Sequence, residues 1–248
     1  YKKLLFFFKN KKVDYLIMAA ARAGGILANN KFQKDFFLEN IEIQNNLLNL
    51  ALKKKVKRTV FLGTSCVYPK FAKNPIKEEY LLTGKLERTN QCYAIAKIAG
   101  IKLSEALYFN NNLDIVCLMP TNIYGLNDNF DKFSGHVIPA MINKINDAVA
   151  KKKKVIKLLG TGKPIREFLY SDDLAEAILL VLNKKKQKIF KVCNNSFPII
   201  NVGSGSSISI SSLSKIISKF SNYKGKIIFD KNYPDGAMKK NLNSKIIR

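Results

Sequence analysis

Three short apolar segments separated by helix-forming sequence constrain the fold of this chain more than any other feature. The segments are VDYLIMAAA from Val13, RTVFLGTSCVY from Arg58 and LDIVCLMP from Leu113, the last stopped by Pro120. Continuous apolar runs of this length are typical of buried strands. We therefore predict three strands that are buried within a sheet.

The sequence around these strands carries helical patterns. Between the first two strands, helical spacing across residues 32–55 is interrupted once, by the polar Asn40. Residues 93–111 and 171–184 also predict helices, the latter opened by a Ser or Asp cap. The opening segment YKKLLFFFKN suits the tail of a helix. Alternation of strands and helices predicts an α/β fold, with a doubly wound parallel sheet covered on both faces.

Two separated stretches differ from the rest of the chain. Residues 123–170 and 203–248 contain more Gly, Asn, Ser and Pro, and one helical pattern, GHVIPAMINKINDAVAKKKK. They predict a smaller lobe, and residues 1–122 and 171–202 then form the larger domain. A length of 248 residues suits one large domain or two closely joined ones.

The net charge of +25 raises nucleic acid as a partner. However, the lysines occur in scattered runs at predicted helix ends and loops, without an interleaved aromatic surface. This distribution favours a solvated surface over a nucleic-acid interface, although some of the charge can attract an anionic substrate. The longest apolar stretch, YLIMAAA, is far shorter than the ~20 residues that a membrane span needs, so no membrane association is expected.

The four cysteines show no C-x-x-C pair, and the chain has a single histidine, His136. A zinc site is therefore not expected, and we predict no metal. Unpaired cysteines suit a reducing cytosol, so we predict a cytoplasmic protein.

Polar clusters follow each predicted strand. They are AARAGG after the first strand, GTSC after the second and PTNIYG after the third. Ligands of doubly wound sheets bind at the carboxyl ends of the strands, so these clusters predict one binding site. Each cluster alone is also compatible with ordinary turn chemistry.

Tyr93 and Lys97 lie four residues apart in a predicted helix, which places them on one face. An ammonium beside a phenol favours the phenolate and lowers the pKa of the phenol, which suits proton transfer. The same spacing also arises by chance on solvated helices.

Thr64 lies at a strand end upstream of this pair, and the order hydroxyl, Tyr, Lys resembles the short-chain dehydrogenase/reductase superfamily, in its extended branch acting on nucleotide sugars. Within that branch, six motifs resemble the enzymes that epimerise and reduce GDP-4-keto-6-deoxymannose with NADPH. These motifs are FLGTSCVYPK, YAIAKIAGIKL, MPTNIYG, HVIPAM, PIREFLY and PDGAMKK.

The resemblance implies a Rossmann-like fold and a role for each matching residue. Tyr93 would protonate the C4 oxygen, Lys97 would stabilise the phenolate and hold the cofactor ribose, and Thr64 would bind the same oxygen. Cys66 and His136 match the base and the acid of the epimerisation, which needs two groups of moderate pKa. Without the motifs, Cys66 would be a small buried hydrophobe and His136 a residue that caps or packs.

Binding residues follow from the same resemblance. The implied NADP(H) contacts are Leu62, Gly63, Thr64, Ser65, Lys97, Pro120, Thr121, Asn122, Ile123 and His136. The implied contacts of the GDP-sugar are Lys144, Leu159, Arg166 and Lys240.

Two of the substrate positions depart from the family pattern. Lys144 stands where Arg is frequent and Leu159 where Trp is frequent, which affects the affinity for the guanine or the pyrophosphate. Arg166 could instead be a surface ion-pair partner of Glu167 or Asp172.

Residues 1–30 contain no G-x-x-G-x-x-G loop for the cofactor pyrophosphate. We therefore expect that the first strand and its glycine loop are missing, and that the sequence is truncated at both ends. The alternatives are another nucleotide-sugar epimerase or dehydratase of this branch, or a non-catalytic basic binding protein. The resemblance also implies a homodimer that pairs the helices near residues 32–55 and 93–111.

Overall fold

The computed structural model describes residues 1–233 and 235–247. Pro234, in the PDGAMKK motif, and Arg248 lie outside the described residues. The helices are α1 (Lys2–Phe7), α2 (Ile26–Lys31), α3 (Gln33–Lys54), α4 (Gln91–Asn110), α5 (Val137–Ala150), α6 (Ser171–Asn183), α7 (Lys186–Val192) and α8 (Ile210–Phe220). The strands are β1 (Tyr15–Met18), β2 (Arg58–Leu62), β3 (Ile115–Pro120), β4 (Asn122–Tyr124), β5 (Val155–Leu159), β6 (Ile165–Tyr170), β7 (Ile199–Val202), β8 (Ser207–Ser209), β9 (Lys226–Asp230) and β10 (Lys239–Lys240).

The main sheet has the strand order β1-β2-β3-β7, and its neighbouring strands are parallel. Successive side chains point to opposite faces. Phe61 and Met119 pack in the core formed with α3 and α4, whereas Val60 and Leu118 pack in the core formed with α6. The predicted parallel sheet with helices on both faces is confirmed.

The first strand differs from its prediction. Tyr15 is 52% exposed and Ile17 is 44% exposed, so β1 is not buried on both faces. In the described part of the chain β1 pairs with β2 alone, and α6 packs over β2 and β3. The prediction of a buried strand is wrong here, whereas β2 and β3 are buried as expected.

The predicted helices are confirmed as α1, α3, α4, α5 and α6, and the structure adds α2, α7 and α8. A separate short helix, α2, precedes α3, and the chain turns between them at Phe32, which has φ −112° and ψ 39°. The spacing of apolar residues predicted only α3, because α2 has just 6 residues, ILANNK, which are too few to show a helical period.

A third hydrophobic core belongs to the stretches that the sequence assigned to a smaller lobe. It contains Met141 and Ile145 of α5, Leu158 of β5 and Leu213 of α8, next to the parallel pair of β5 and β9. A second sheet has the order β10-β6-β4, with β8 antiparallel to β6, and its strand β6 contributes Phe168 to this core and Leu169 to the core formed with α6. The domain boundaries themselves stay a prediction.

Candidate active site

A cavity of about 510 Å³ opens where the strands of the main sheet end. Its wall includes Gly24 after β1, Thr64 after β2 and Thr121 after β3. The other side of the wall comes from α5, β5 and β6. The expected convergence of the three polar clusters is therefore confirmed.

Asn40, the polar interruption of the helical pattern, holds the first of these clusters in place. Its Oδ1 accepts from the backbone N–H of Arg22 at 3.1 Å, and its Nδ2 donates to the Arg22 carbonyl at 2.9 Å. Gly25, three residues after Arg22, donates its backbone N–H to the Ser134 carbonyl at 2.9 Å. A Cβ atom at position 25 would lie 2.5 Å from the Gly135 carbonyl oxygen. The cluster thus needs glycine where it meets the loop that precedes α5.

Thr64 and Cys66 follow β2 in a single 3₁₀ turn. The Thr64 Oγ1 accepts from the backbone N–H of Cys66 at 3.2 Å and fixes the turn that presents both side chains to the cavity. Both residues are half-buried. A hydroxyl and a thiol therefore face one space within two residues of sequence.

Position distinguishes Cys66 from the other cysteines. Cys117 and Cys193 are buried, and burial raises the pKa of each thiol, that of Cys193 to about 11. Cys92 is half-buried but lies outside the cavity wall. The alternative of a buried hydrophobe thus applies to Cys117 and Cys193, but not to Cys66.

Tyr93 also lines the cavity, on the first turn of α4. Its ring meets Phe36 of α3 edge to face, with the centroids 6.2 Å apart. Burial raises the pKa of the Tyr93 hydroxyl, electrostatic interaction with Cys66 raises it further, and hydrogen bonding with Thr64 opposes the increase. The expected lowering of the Tyr93 pKa by Lys97 is wrong for this arrangement, because desolvation dominates.

Lys97 lies behind the cavity wall rather than in it. Its Nζ donates to the carbonyl of Leu62 at 2.9 Å and lies 5.1 Å from the centroid of the Phe61 ring. Burial lowers the pKa of Lys97 to about 8. Neither Lys97 nor Leu62 is part of the wall, unlike the other residues assigned to the cofactor.

His136 stands at the N-terminus of α5 and lines the same cavity as Cys66. Its side chain makes no capping hydrogen bond to the helix, so the capping alternative does not account for it. The ring is open to the cavity but surrounded by protein, and this desolvation lowers the pKa of His136, against an opposing effect of Asp128. A thiol and an imidazole therefore share one space.

Lys144, Leu159, Arg166 and Lys240, the residues assigned to the substrate, all line the cavity. Burial lowers the pKa of Lys144, and the charges of Lys132 and Lys153 lower it further. Such a concentration of cations beside a cavity favours an anionic ligand.

The alternative role of Arg166, an ion pair with Glu167 or Asp172, is wrong. Glu167 is fully buried on the other side of β6, where its carboxylate accepts from the backbone N–H groups of Gly205 and Leu242 at 2.6 and 2.8 Å. The guanidinium of Arg166 contacts the carbonyl of Asp235 at 3.2 Å instead. Burial lowers the pKa of Arg166, with opposing effects of Cys66, Asp235 and Glu87.

Sequence reasoning missed several polar residues of the wall. Asn90 Nδ2 donates to Cys66 Sγ at 3.3 Å, Lys70 and Glu87 form an ion pair of 3.0 Å, and Asp235 accepts from Thr161. Lys70 and Asp235 lie within the motifs FLGTSCVYPK and PDGAMKK, whereas no spacing or composition marks Glu87 and Asn90. Their membership of the wall follows from contacts between distant segments.

Comparison with known proteins identifies the family. The family model described as "NAD dependent epimerase/dehydratase family" matches residues 2–194. The chain belongs to this family.

Relatives within the epimerase/dehydratase family extend the match over almost the whole chain. The chain is 41% identical, over 237 residues, to the GDP-L-fucose synthase of Escherichia coli (strain K12). The matched region covers 96% of this chain and 74% of that protein. The resemblance to the extended branch of short-chain dehydrogenases/reductases is confirmed.

Two solved structures of related proteins have the same fold. A GDP-6-OMe-4-keto-L-xylo-heptose reductase from C. jejuni superposes with a TM-score of 0.91 at 31% identity, covering 98% of this chain and 78% of that one. A GDP-L-fucose synthetase from Naegleria fowleri bound to NADP has a TM-score of 0.80 at 27% identity, covering 98% and 72%.

The described residues contain neither a metal-binding cluster nor a membrane-spanning helix. Among residues 1–233 and 235–247, no three His, Cys, Asp or Glu side chains are grouped to hold a metal ion. Within the same residues, no helix has the length and apolar character to cross a membrane.

Proposed function

We propose that this chain converts GDP-4-keto-6-deoxymannose to GDP-L-fucose, by epimerisation at C3 and C5 and reduction at C4 with NADPH. The observation that carries the proposal is that Cys66, Tyr93 and His136 line one cavity. Reduction by itself needs only a proton donor such as Tyr93. Inversion at a carbon next to a ketone needs a base and an acid in addition. The relatives described as GDP-L-fucose synthases support the same assignment.

Cys66 and His136 carry the epimerisation in this proposal. The Cys66 thiolate takes the proton from the carbon next to the C4 ketone, and the electron pair of that C–H bond forms an enolate. His136 then gives a proton to the other face of this carbon, and both groups recover their starting protonation by exchange with water. The lowered pKa of His136 makes its protonated form a stronger acid, which releases its proton readily to the carbon.

Tyr93 and Thr64 serve the C4 oxygen during reduction. The Tyr93 hydroxyl gives its proton to this oxygen, while the Thr64 hydroxyl holds the oxygen by a hydrogen bond. The raised pKa of Tyr93 keeps the group protonated until the oxygen becomes negative. Lys97, whose pKa of about 8 allows it to ionise near neutrality, holds a positive charge behind this pair.

The residues of the wall fit a nicotinamide dinucleotide. The side-chain oxygens of Thr121 and Asn29 are buried in the wall without a hydrogen-bond partner among the described residues, as expected of groups that meet a polar ligand. Lys97 is not part of this wall, so its assignment to the cofactor ribose rests on the family resemblance and on the donors that its ammonium keeps beyond the one used by Leu62. When bound, NADPH supplies the hydride. Gly63, Ser65, Pro120, Asn122 and Ile123 complete the proposed contacts.

The cationic side of the cavity receives the GDP group in this proposal. Arg166 binds the diphosphate through its planar guanidinium, and Lys144 and Lys240 add positive charge. Leu159 offers an apolar contact for the guanine. Residues 1–122 and 171–202 thus form the cofactor domain, and residues 123–170 and 203–248 the substrate lobe. The homodimer and the cytoplasmic location stay predictions.

Product analysis tests the function. The purified protein is incubated with GDP-4-keto-6-deoxymannose and NADPH in D2O, and the sugar is followed by proton NMR. We expect GDP-L-fucose with deuterium at C3 and C5. A product reduced at C4 without inversion or deuterium would contradict the proposal and favour a reductase, the activity named for the C. jejuni structure. No turnover, with salt-dependent nucleic-acid binding, would favour the basic binding protein.

A further inference from the structure

The amide of Asn90 lies against the sulfur of Cys66. Asn90 Nδ2 donates to Cys66 Sγ at 3.3 Å, and both side chains line the cavity. Within the described residues, this sulfur is the one hydrogen-bond partner of the Asn90 side chain, since its Oδ1 is buried without a partner. The orientation of the amide therefore depends on Cys66.

The fold brings the two residues together through further contacts. Asn90 immediately precedes α4, whereas Cys66 follows β2, so the two segments approach each other only in the tertiary structure. Lys70, four residues after Cys66, forms an ion pair of 3.0 Å with Glu87, three residues before Asn90. The backbone N–H of Lys70 also donates to the Lys85 carbonyl at 2.9 Å. These contacts hold the segment of Cys66 beside that of Asn90.

An amide is a suitable neighbour for a sulfur that has to gain and lose a proton. The N–H group stabilises a thiolate by donating a hydrogen bond to it, and hydrogen bonds to charged groups are the stronger ones. A primary amide does not itself titrate between pH 5 and 10, so its donor persists over the whole range in which a thiol ionises.

We propose that Asn90 is a positioning residue, whose amide N–H holds the Cys66 sulfur and stabilises its thiolate. In the reaction, this thiolate takes the proton from the carbon next to the ketone, and the C–H electrons pass into the enolate. The second statement rests on the proposed function, whereas the first concerns the thiol alone and is tested without substrate.

Alkylation kinetics test the first statement. All variants carry Cys92→Ala, because Cys117 and Cys193 are buried and Cys66 then remains the accessible thiol. The rate of carbamidomethylation by iodoacetamide is measured from pH 6 to pH 10 for the parent, Asn90→Ala and Asn90→Asp. We expect Asn90→Ala to react about tenfold more slowly at pH 7, with its profile displaced to higher pH.

Two variants guard this measurement against loss of the fold. Asn90→Asp keeps the shape of the side chain but places a carboxylate beside the sulfur, so we expect an even slower reaction. Asn110→Ala, at the exposed far end of the same helix, is the matched control and should react like the parent. Rates and pH profiles of both Asn90 variants equal to those of the parent would overturn the proposal.

Isotope exchange tests the second statement. With the GDP-linked keto sugar in D2O, Asn90→Ala should incorporate deuterium at C3 and C5 about tenfold more slowly than the parent. Hydride transfer to an already epimerised keto sugar should fall far less than the rate of deuterium exchange. Equal exchange rates would refute the positioning role. If the parent itself exchanges no deuterium, the proposed function fails, and the alkylation result still decides whether Asn90 stabilises the thiolate.

Discussion

The ammonium of Lys97 donates to the carbonyl of Leu62 at 2.9 Å, which ties the second turn of α4 to the last residue of β2. Lys97 is only 5% exposed, and its burial lowers its pKa to about 8. This cation is therefore kept at a cost in stability, which is common for residues retained for function.

Lys97→Met should stabilise the fold at neutral pH. The pKa of Lys97 is about 8 in the folded state, against an ordinary value of 10.5. The cost in stability of burying the charged ammonium is therefore fully present below pH 8. Between these values the unfolded state binds more protons, and the stability of the parent rises with pH. We expect Lys97→Met to gain about 2 kcal/mol at pH 7 after the loss of the Leu62 hydrogen bond. Urea denaturation at pH 7 and pH 10 measures this, and an advantage that does not shrink at pH 10 would contradict it.

Tyr93→Phe should remove reduction but not epimerisation. The variant keeps the ring that packs on Phe36, so its free energy of unfolding should hardly change. It lacks the proton donor for the C4 oxygen, and we expect the rate of hydride transfer to fall by about 10²–10⁴-fold. NADPH oxidation and deuterium incorporation at C3 and C5 are measured side by side. Equal losses of both would argue against separate roles.

Cys66→Ser should show the opposite pattern. Serine keeps the size of the side chain, and the turn fixed by Thr64 should persist, but a hydroxyl is a far poorer base at neutral pH. We expect deuterium incorporation to fall by about 10²–10⁴-fold, while an already epimerised substrate is still reduced. NMR and NADPH oxidation give the two rates. Retained exchange in Cys66→Ser would reassign the base.

Arg166→Ala should weaken substrate binding. In the described part of the chain the guanidinium forms no ion pair with a carboxylate, although it lies in the cavity wall. It is thus available for a diphosphate, and its loss should raise KM about 10- to 100-fold. Arg166→Lys keeps the charge without the planar fork, so we expect its KM to lie between those of the parent and Arg166→Ala. Calorimetric titration with GDP checks this, and unchanged affinity in Arg166→Ala would place the diphosphate elsewhere.

Arg58→Met should destabilise the fold without affecting the site. Arg58 is buried, pairs with Asp114 at 2.7 Å and donates to the carbonyls of Leu182 and Lys184 near the end of α6. Its removal leaves a largely buried carboxylate alone, so we expect a loss of about 3 kcal/mol in the free energy of unfolding. Adding Asp114→Asn should recover part of that loss. Denaturation of both variants measures it, and an unchanged midpoint for Arg58→Met would contradict the expectation.

The sequence by itself determined the order of the elements and the edge of the sheet at which the site lies. Strand and helix periodicities are local, so β2, β3, α3 and α4 were predictable from the patterns of apolar residues. The convergence of Gly24, Thr64 and Thr121 followed because parallel strands end at the same edge of a sheet. Chemical roles, by contrast, came from motif resemblance.

The tertiary structure decided the environment of each functional group. Asn40, a break in a helical pattern, proved to hold the backbone of Arg22, and Lys97 proved to contact Leu62 rather than to lower the pKa of Tyr93. The contact of Asn90 with Cys66 had no sequence signal at all. Burial and hydrogen bonding depend on segments that are distant in sequence, and these contacts, not the residue types alone, set how readily each group gains or loses a proton.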